Sequence, residues 1–167
     1  MAMTPPEPKG NSLFNLLTQL FADNFVTYFK SHSYHFNVDG PMFAQDHELL
    51  NEIYDFLWAQ HDMLGEQIRQ MDKGTPCSLK EVLSMTDIVE CDTPKKPSKE
   101  MFTWLNQDFD DLIEDAQKLY DEADMQCYGG LATFAGDYLK DLSKLNWKVR
   151  ATLGKSFKWT NIVTIIC

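Results

Sequence analysis

Apolar residues recur at spacings of three and four along nearly the whole chain, the pattern of helices that bury one stripe each. Leu13, Leu16, Leu17, Leu20, Phe21, Phe25, Tyr28 and Phe29 trace the first, with Ser12 as its N-cap and Asp39-Gly40-Pro41 as its stop. It is expected to run to about Asn37. A second helix is expected from about Pro41 to Met71, with Phe43, Leu50, Leu57, Leu64, Ile68 and Met71 as its buried stripe and Lys73-Gly74 as its end. SLKEVLSMTDI, Ser78 to Ile88, reads as a short capped helix, and CDTPKKP from Cys91 as loop. A third long helix opens at Ser98 and reaches about Met125, marked by Met101, Trp104, Leu105, Phe109, Leu112, Ile113 and Leu119. Its acids Asp108, Asp110, Asp111, Glu114 and Asp115 read as a solvated face. The fourth runs from Gly129 to Leu153 and ends at Gly154. Four such helices with one long mid-chain connection specify an all-α four-helix bundle, with a short extra helix between helices two and three.

The length of 167 residues suits one such domain. The expected layout is a flexible N-terminal arm over 1–11, the bundle over 12–154 and a C-terminal tail over 155–167. The tail, KSFKWTNIVTIIC, is β-branched and apolar enough to pack on the body or on a neighbour. No apolar run reaches the ~20 residues of a membrane span. MAMTPPEPKGNS lacks the basic-then-apolar pattern of a secretion signal, so the expected location is cytoplasmic. Cys77, Cys91, Cys127 and Cys167 form no CxxC pair, which argues against a zinc cluster and a dense disulfide framework. Fifteen Lys and Arg against 25 Asp and Glu give a net charge of −10. That balance disfavours DNA, whose affinity rests on phosphate neutralisation. No GxSxG, HExxH or GxxxxGK[ST] is present.

The four histidines can be weighed singly. His32 and His35 stand near the end of helix one, His47 early in helix two and His61 late in it. Asp62 and Glu66, at i and i+4, share a helix face, and two acids so placed repel unless a cation lies between them. His47 and Asp62 also share a face, but fifteen residues separate them by about 22 Å of helix axis. One metal cannot bridge that distance within a chain. Two copies of helix two packed antiparallel on a two-fold axis would bring His47 of each opposite the acids of the other. A second imidazole would come from helix one, and spacing leaves His32 and His35 equal for that role. Mixed imidazole and carboxylate donors suit iron, manganese or zinc. The Glu-x-x-His pair of bundles that build a di-iron site inside one chain is missing.

His35-Phe-Asn-Val-Asp-Gly-Pro-x-Phe, then His47-Glu, then Asp62-x-x-x-Glu66, resembles the ferroxidase signature of the Dps mini-ferritins (DNA-binding protein from starved cells, within the ferritin-like superfamily). The intervals of 12, 15 and 4 match that family without a gap. SLKEVLSMTDI resembles its short connecting helix, and Leu145 to Leu153 the end of its last helix. The resemblance selects His35 over His32 and implies a catalytic and metal-binding set of His35, His47, Asp62 and Glu66, with iron shared across a two-fold interface. It further implies a homo-oligomer of twelve subunits that oxidises Fe2+, usually with hydrogen peroxide and otherwise with oxygen, and stores ferric mineral. The alternative is a DNA-compacting stress protein with secondary iron chemistry. The chain departs from the family pattern in three places. Phe36 stands where Trp usually follows the first ligand, with Trp58 and Trp147 as candidate substitutes. The usual acids are missing from the start of the last helix, leaving Asp124 and Asp137 as candidates for an iron pore. The arm holds only Lys9, so DNA binding is expected to be weak or absent, with Lys95, Lys96 and Lys99 the clearest basic cluster.

Overall fold

The computed structural model describes residues 12–91, 93 and 95–155; the arm and nearly all of the tail lie outside the described residues. Five helices follow in order: α1 (Leu13–Asn37), α2 (Phe43–Gln70), α3 (Leu79–Met85), α4 (Ser98–Met125) and α5 (Gly129–Thr152). No strand occurs among the described residues. α1 packs on α2, α4 on α5 and α1 on α4, while α3 leans on α1. The expected all-α bundle with its short extra helix is the fold observed.

Local chemistry sets the ends. The Ser12 hydroxyl accepts from Asn15 N at 3.2 Å and starts α1. Ser78 caps α3 by accepting from Glu81 N, and Glu81 reaches back to the N–H of Cys77 at 3.0 Å. α2 starts at Phe43, two residues later than expected, because Pro41 and Met42 form the turn that leads into it. Its stop is also not Gly74. Asp72 takes the left-handed position, φ 56°, and the N–H of Lys73 reaches Ile68 O. Cys127, at φ 61°, closes α4 in the same way, and Gly154, at φ 68°, closes α5.

The core matches the expected stripes at Leu17, Leu20, Leu50, Leu57, Leu64, Ile68, Met101, Leu105, Phe109, Leu112 and Leu119, all with essentially no exposure. Two assignments to the buried stripes are corrected. Phe29 is 64% exposed and Phe43 47% exposed, since each lies on the rim of its helix stripe. The acidic face of α4 is not uniformly solvated either. Asp108 is buried and receives the Lys30 ammonium at 2.8 and 3.0 Å, a pair periodicity could not reveal because its members lie 78 residues apart. Burial pushes the Asp108 carboxyl up to about 6, with Lys30 pulling the other way.

α3 is shorter than the Ser78–Ile88 reading because a buried carboxylate on α1 takes up the chain after it. Asp23 Oδ1 accepts from the Thr86 hydroxyl at 2.6 Å and from the N–H of Asp87 at 2.8 Å. Those donors fix the connection against α1 and end helical bonding at Met85. Asn24 donates to Leu57 O and accepts from Tyr138, joining α1, α2 and α5 through one buried amide. No helix of the described residues is long and apolar enough to cross a membrane. Cys77, Cys91 and Cys127 are free thiols.

Candidate metal centre

The turn between α1 and α2 builds one half of the site. α1 stops at Asn37, so the carbonyl of His35 is among the last four, which have no partner inside the helix. Five residues later the chain returns as α2, and His47 in its second turn faces that end. His47 Nδ1 donates to His35 O at 3.0 Å, and His35 Nδ1 donates to His47 O at 3.1 Å. The two rings stack with centroids 3.8 Å apart, tilted by 23°. A carbonyl can only accept, so both Nδ1 atoms carry a proton, and in the neutral ring this puts the lone pair on Nε2. This reciprocal bond fixes the tautomer that a metal ligand needs. Burial lowers the His35 pKa below the usual imidazole value, and the neighbouring His47 and His32 rings add to the shift. The hydrogen bond to His47 works against that shift without reversing it.

Phe43 stacks on His47 at 5.0 Å, which gives its exposed ring a role at the site. His32 lies beside the pair, 6.1 Å from His35, with Tyr54 stacked on it at 4.1 Å. Tyr54 is thus a site residue, one that the spacing of the histidines and acids did not select. Its signal was available, since position 54 lies two turns after His47 on the same helix face. Phe36 is 71% exposed, Trp58 56% and Trp147 59%. Trp58 belongs to the same aromatic face, packing 5.2 Å from Tyr28, whereas Trp147 stands on α5.

The other half is unbuilt within the chain. Asp62 and Glu66 are exposed on α2 and have no ion pair or hydrogen bond among the described residues. His61, between them and the core, turns inward instead and packs 4.1 Å from Phe21. Its pKa is lowered, chiefly by burial. Among the described residues no three His, Cys, Asp or Glu side chains of the one chain gather to hold a metal. The structure thus brings His35 and His47 together and leaves Asp62 and Glu66 apart from them. Of the two candidate pore acids, both exposed, Asp137 is paired with Lys140 at 2.7 Å, while Asp124 stands at the end of α4.

Comparison with known proteins bears on the family. Residues 14–156 match the ferritin-like domain. A "DNA protection during starvation protein" of Helicobacter pylori is 30% identical, covering 84% of this chain and 97% of its own length. The antigen TpF1 of Treponema pallidum is also 30% identical, over 91% of this chain and 88% of its own. The crystal structure of that antigen superimposes with a TM-score of 0.83 at 27% identity, over 92% of this chain and 99% of that one. A Dps protein of Vibrio cholerae O1, described as one of the ferritin-like diiron-carboxylate proteins, gives 0.81 at 26% identity, over 84% and 88%. With the bundle, the short connecting helix and these relatives in agreement, the chain belongs to the Dps family of ferritin-like proteins.

Proposed function

We propose that the protein is a ferroxidase and iron store. It oxidises Fe2+ at sites shared by two copies and keeps the ferric product as mineral inside a dodecameric shell in the cytoplasm. His35 and His47 of one copy supply two imidazole nitrogens, and Asp62 and Glu66 of a second copy supply carboxylates. The observation that carries this reading is the mismatch between the two halves: two imidazoles with Nε2 free and fixed, and two carboxylates on the same α2 face with nothing to neutralise them. A second copy in antiparallel register supplies each half with the other. Phe36, Trp58 and Met63 around this face are exposed, as are Phe29, Leu79 and Leu83 on α1 and α3. Apolar surface of this extent suits a covered face.

Iron is the substrate and the cargo. The imidazoles hold Fe2+, and the carboxylates favour the harder Fe3+ product. Two Fe2+ each give up one electron to hydrogen peroxide, whose O–O bond breaks with uptake of two protons to give two waters. Consuming peroxide as a two-electron oxidant avoids the hydroxyl radical that a single Fe2+ would make from it. Asp124 is the stronger candidate for an acidic entry ring, since Lys140 offsets Asp137. DNA binding is weak or absent, although relatives carry names that refer to DNA protection. The net charge is −10, and within the basic cluster Lys96 is engaged by Glu100 at 3.0 Å. The test is anaerobic Fe2+ loading followed by peroxide or oxygen, read as ferric absorbance, with size measured by gel filtration. A rapid ferric rise with peroxide, from a species of twelve subunits, is expected. A monomer with no rise above the uncatalysed rate would refute the proposal.

A further inference from the structure

Asp23 is almost wholly buried on α1, and its carboxylate ties down the chain that follows α3. Oδ1 accepts from the Thr86 hydroxyl at 2.6 Å, from the N–H of Asp87 at 2.8 Å and from that of Ile88 at 3.4 Å. Oδ2 accepts from the Gln19 amide at 2.7 Å. A second carboxyl meets it from α4. Asp115 lies in hydrogen-bond contact with Asp23, while Lys118 donates to Asp115 at 2.9 Å.

Two ionised carboxylates have no donor between them, so a hydrogen bond from one to the other needs a proton. Asp23 is already engaged as an acceptor by its donors, which leaves that proton to Asp115. Asp115 therefore has two partners with opposite demands. Asp23 binds it when protonated, and the Lys118 ammonium, which Glu114 also engages at 3.0 Å, binds it when ionised. Burial pushes the Asp115 carboxyl above the usual carboxylate range; Lys118 pulls it down, and the charge of Asp23 adds to the rise. The other groups around the pair are Asp87 of the connection, Asp108 and Asp111 of α4 and the Tyr138 phenol of α5, with Lys30 held by Asp108. Negative charge in surplus favours the proton.

We propose that Asp115 is a proton-operated clasp: protonated, it bonds Asp23 and locks the α3 connection to α1 and α4; ionised, it turns to Lys118 and lets the connection loosen. The clasped form binds the proton more tightly than the open one. Its added stability is therefore full in acid and is lost as pH rises through the raised Asp115 value. The connection it governs carries α3, which packs on α1 and exposes Leu79 and Leu83. The clasp thus sets how firmly that apolar surface is held. It uses none of the candidate metal ligands, so it stands or falls apart from the proposed function.

The test is hydrogen exchange on the full-length protein, read by mass spectrometry in peptides covering Thr86–Ile88 and corrected for the intrinsic effect of pH. In wild type, protection of the Asp87 and Ile88 amides should fall several-fold from mildly acid to mildly alkaline pH. Asp115→Asn, whose amide can donate to Asp23 at every pH, should keep the acid level of protection throughout. Lys118→Met should hold protection to a higher pH than wild type, because the cation that favours ionised Asp115 is gone. Protection that does not change with pH in wild type would overturn the proposal, as would a Lys118→Met midpoint at or below that of wild type. An Asp115→Asn profile that still falls like wild type would overturn it too, and would move the effect to Asp108 and Lys30.

Discussion

The two ends of α2 carry the two halves of the candidate site in opposite conditions. At the first end, His47 is half-buried, stacked on two rings and bonded across the turn to His35. At the other, Asp62 and Glu66 stand exposed with no partner. One end is organised by its own chain, and the other waits for something outside it. The difference follows from chain direction. α1 ends beside the start of α2, so orphan carbonyls are available there for ring N–H groups. Among the described residues no hydrogen-bond donor reaches Asp62 or Glu66, and an ionised carboxylate has no donor of its own to offer.

The strongest way to break this comparison is to separate the halves genetically. His47→Ala and Asp62→Ala should each reduce peroxide-driven ferric formation to near the uncatalysed rate, because every site needs one half from each copy. Co-assembly of the two variants should restore activity. Each mixed pair contains one site with both halves intact, so about a quarter of all sites should recover if pairing is random. Mixed assemblies as inactive as either parent would mean that the halves are not shared in this way.

A carboxylate whose partner does lie within the chain sharpens the contrast. Asp108 is buried against Lys30, and Asp108→Ala should cost about 3–5 kcal/mol by stranding a buried ammonium. The double change Lys30→Met with Asp108→Leu should recover most of that loss. The wild-type pair should also carry a pH signature in denaturant unfolding. The folded pKa of about 6 lies above the usual 3.8, so the folded state binds the proton more tightly. That contribution is fully present below about 3.8 and is lost as pH rises through about 6. A flat stability profile over that window in wild type, identical to Asp108→Leu, would remove the assignment.

The same contrast explains what was legible in the sequence. Helix number, order and most of the ends could be read because caps, stops and stripes are local: Ser12, Ser78, Gly154 and the Leu50, Leu57, Leu64 series each act within a few residues. His47, Asp62 and Glu66 were legible as one helix face for the same reason. The choice of His35 over His32 was not, because it depends on which ring meets His47 across the turn; resemblance supplied it, and in the structure His35 is the ring that bonds His47. Asp108 and Asp23 were misjudged or missed because their partners, Lys30 and Thr86, lie far away in sequence. Helical periodicity identifies a face, not what covers it.

The smallest expected effect tests the bare end directly. Asp62 and Glu66 are like charges at i and i+4, a spacing that costs an isolated helix about 0.2–0.5 kcal/mol. If the pair is kept for a metal, Asp62→Asn with Glu66→Gln should leave the metal-free shell as stable as wild type or slightly more so, by about 1 °C in Tm for a chain of this length. If the pair instead serves structure, by bonding Lys or Arg on a neighbouring copy, the same change should lower Tm. Adding Co2+ separates the cases further. A ligand that binds only the folded state stabilises by about 2.7 kcal/mol at a hundredfold excess over its Kd, so wild-type Tm should rise by several degrees. The doubly neutral variant should show little of that rise, since its remaining imidazoles no longer have an anion to share the cation. A variant less stable than wild type without metal, and equally stabilised by Co2+, would make the acid end a structural contact and leave the histidine end to act alone.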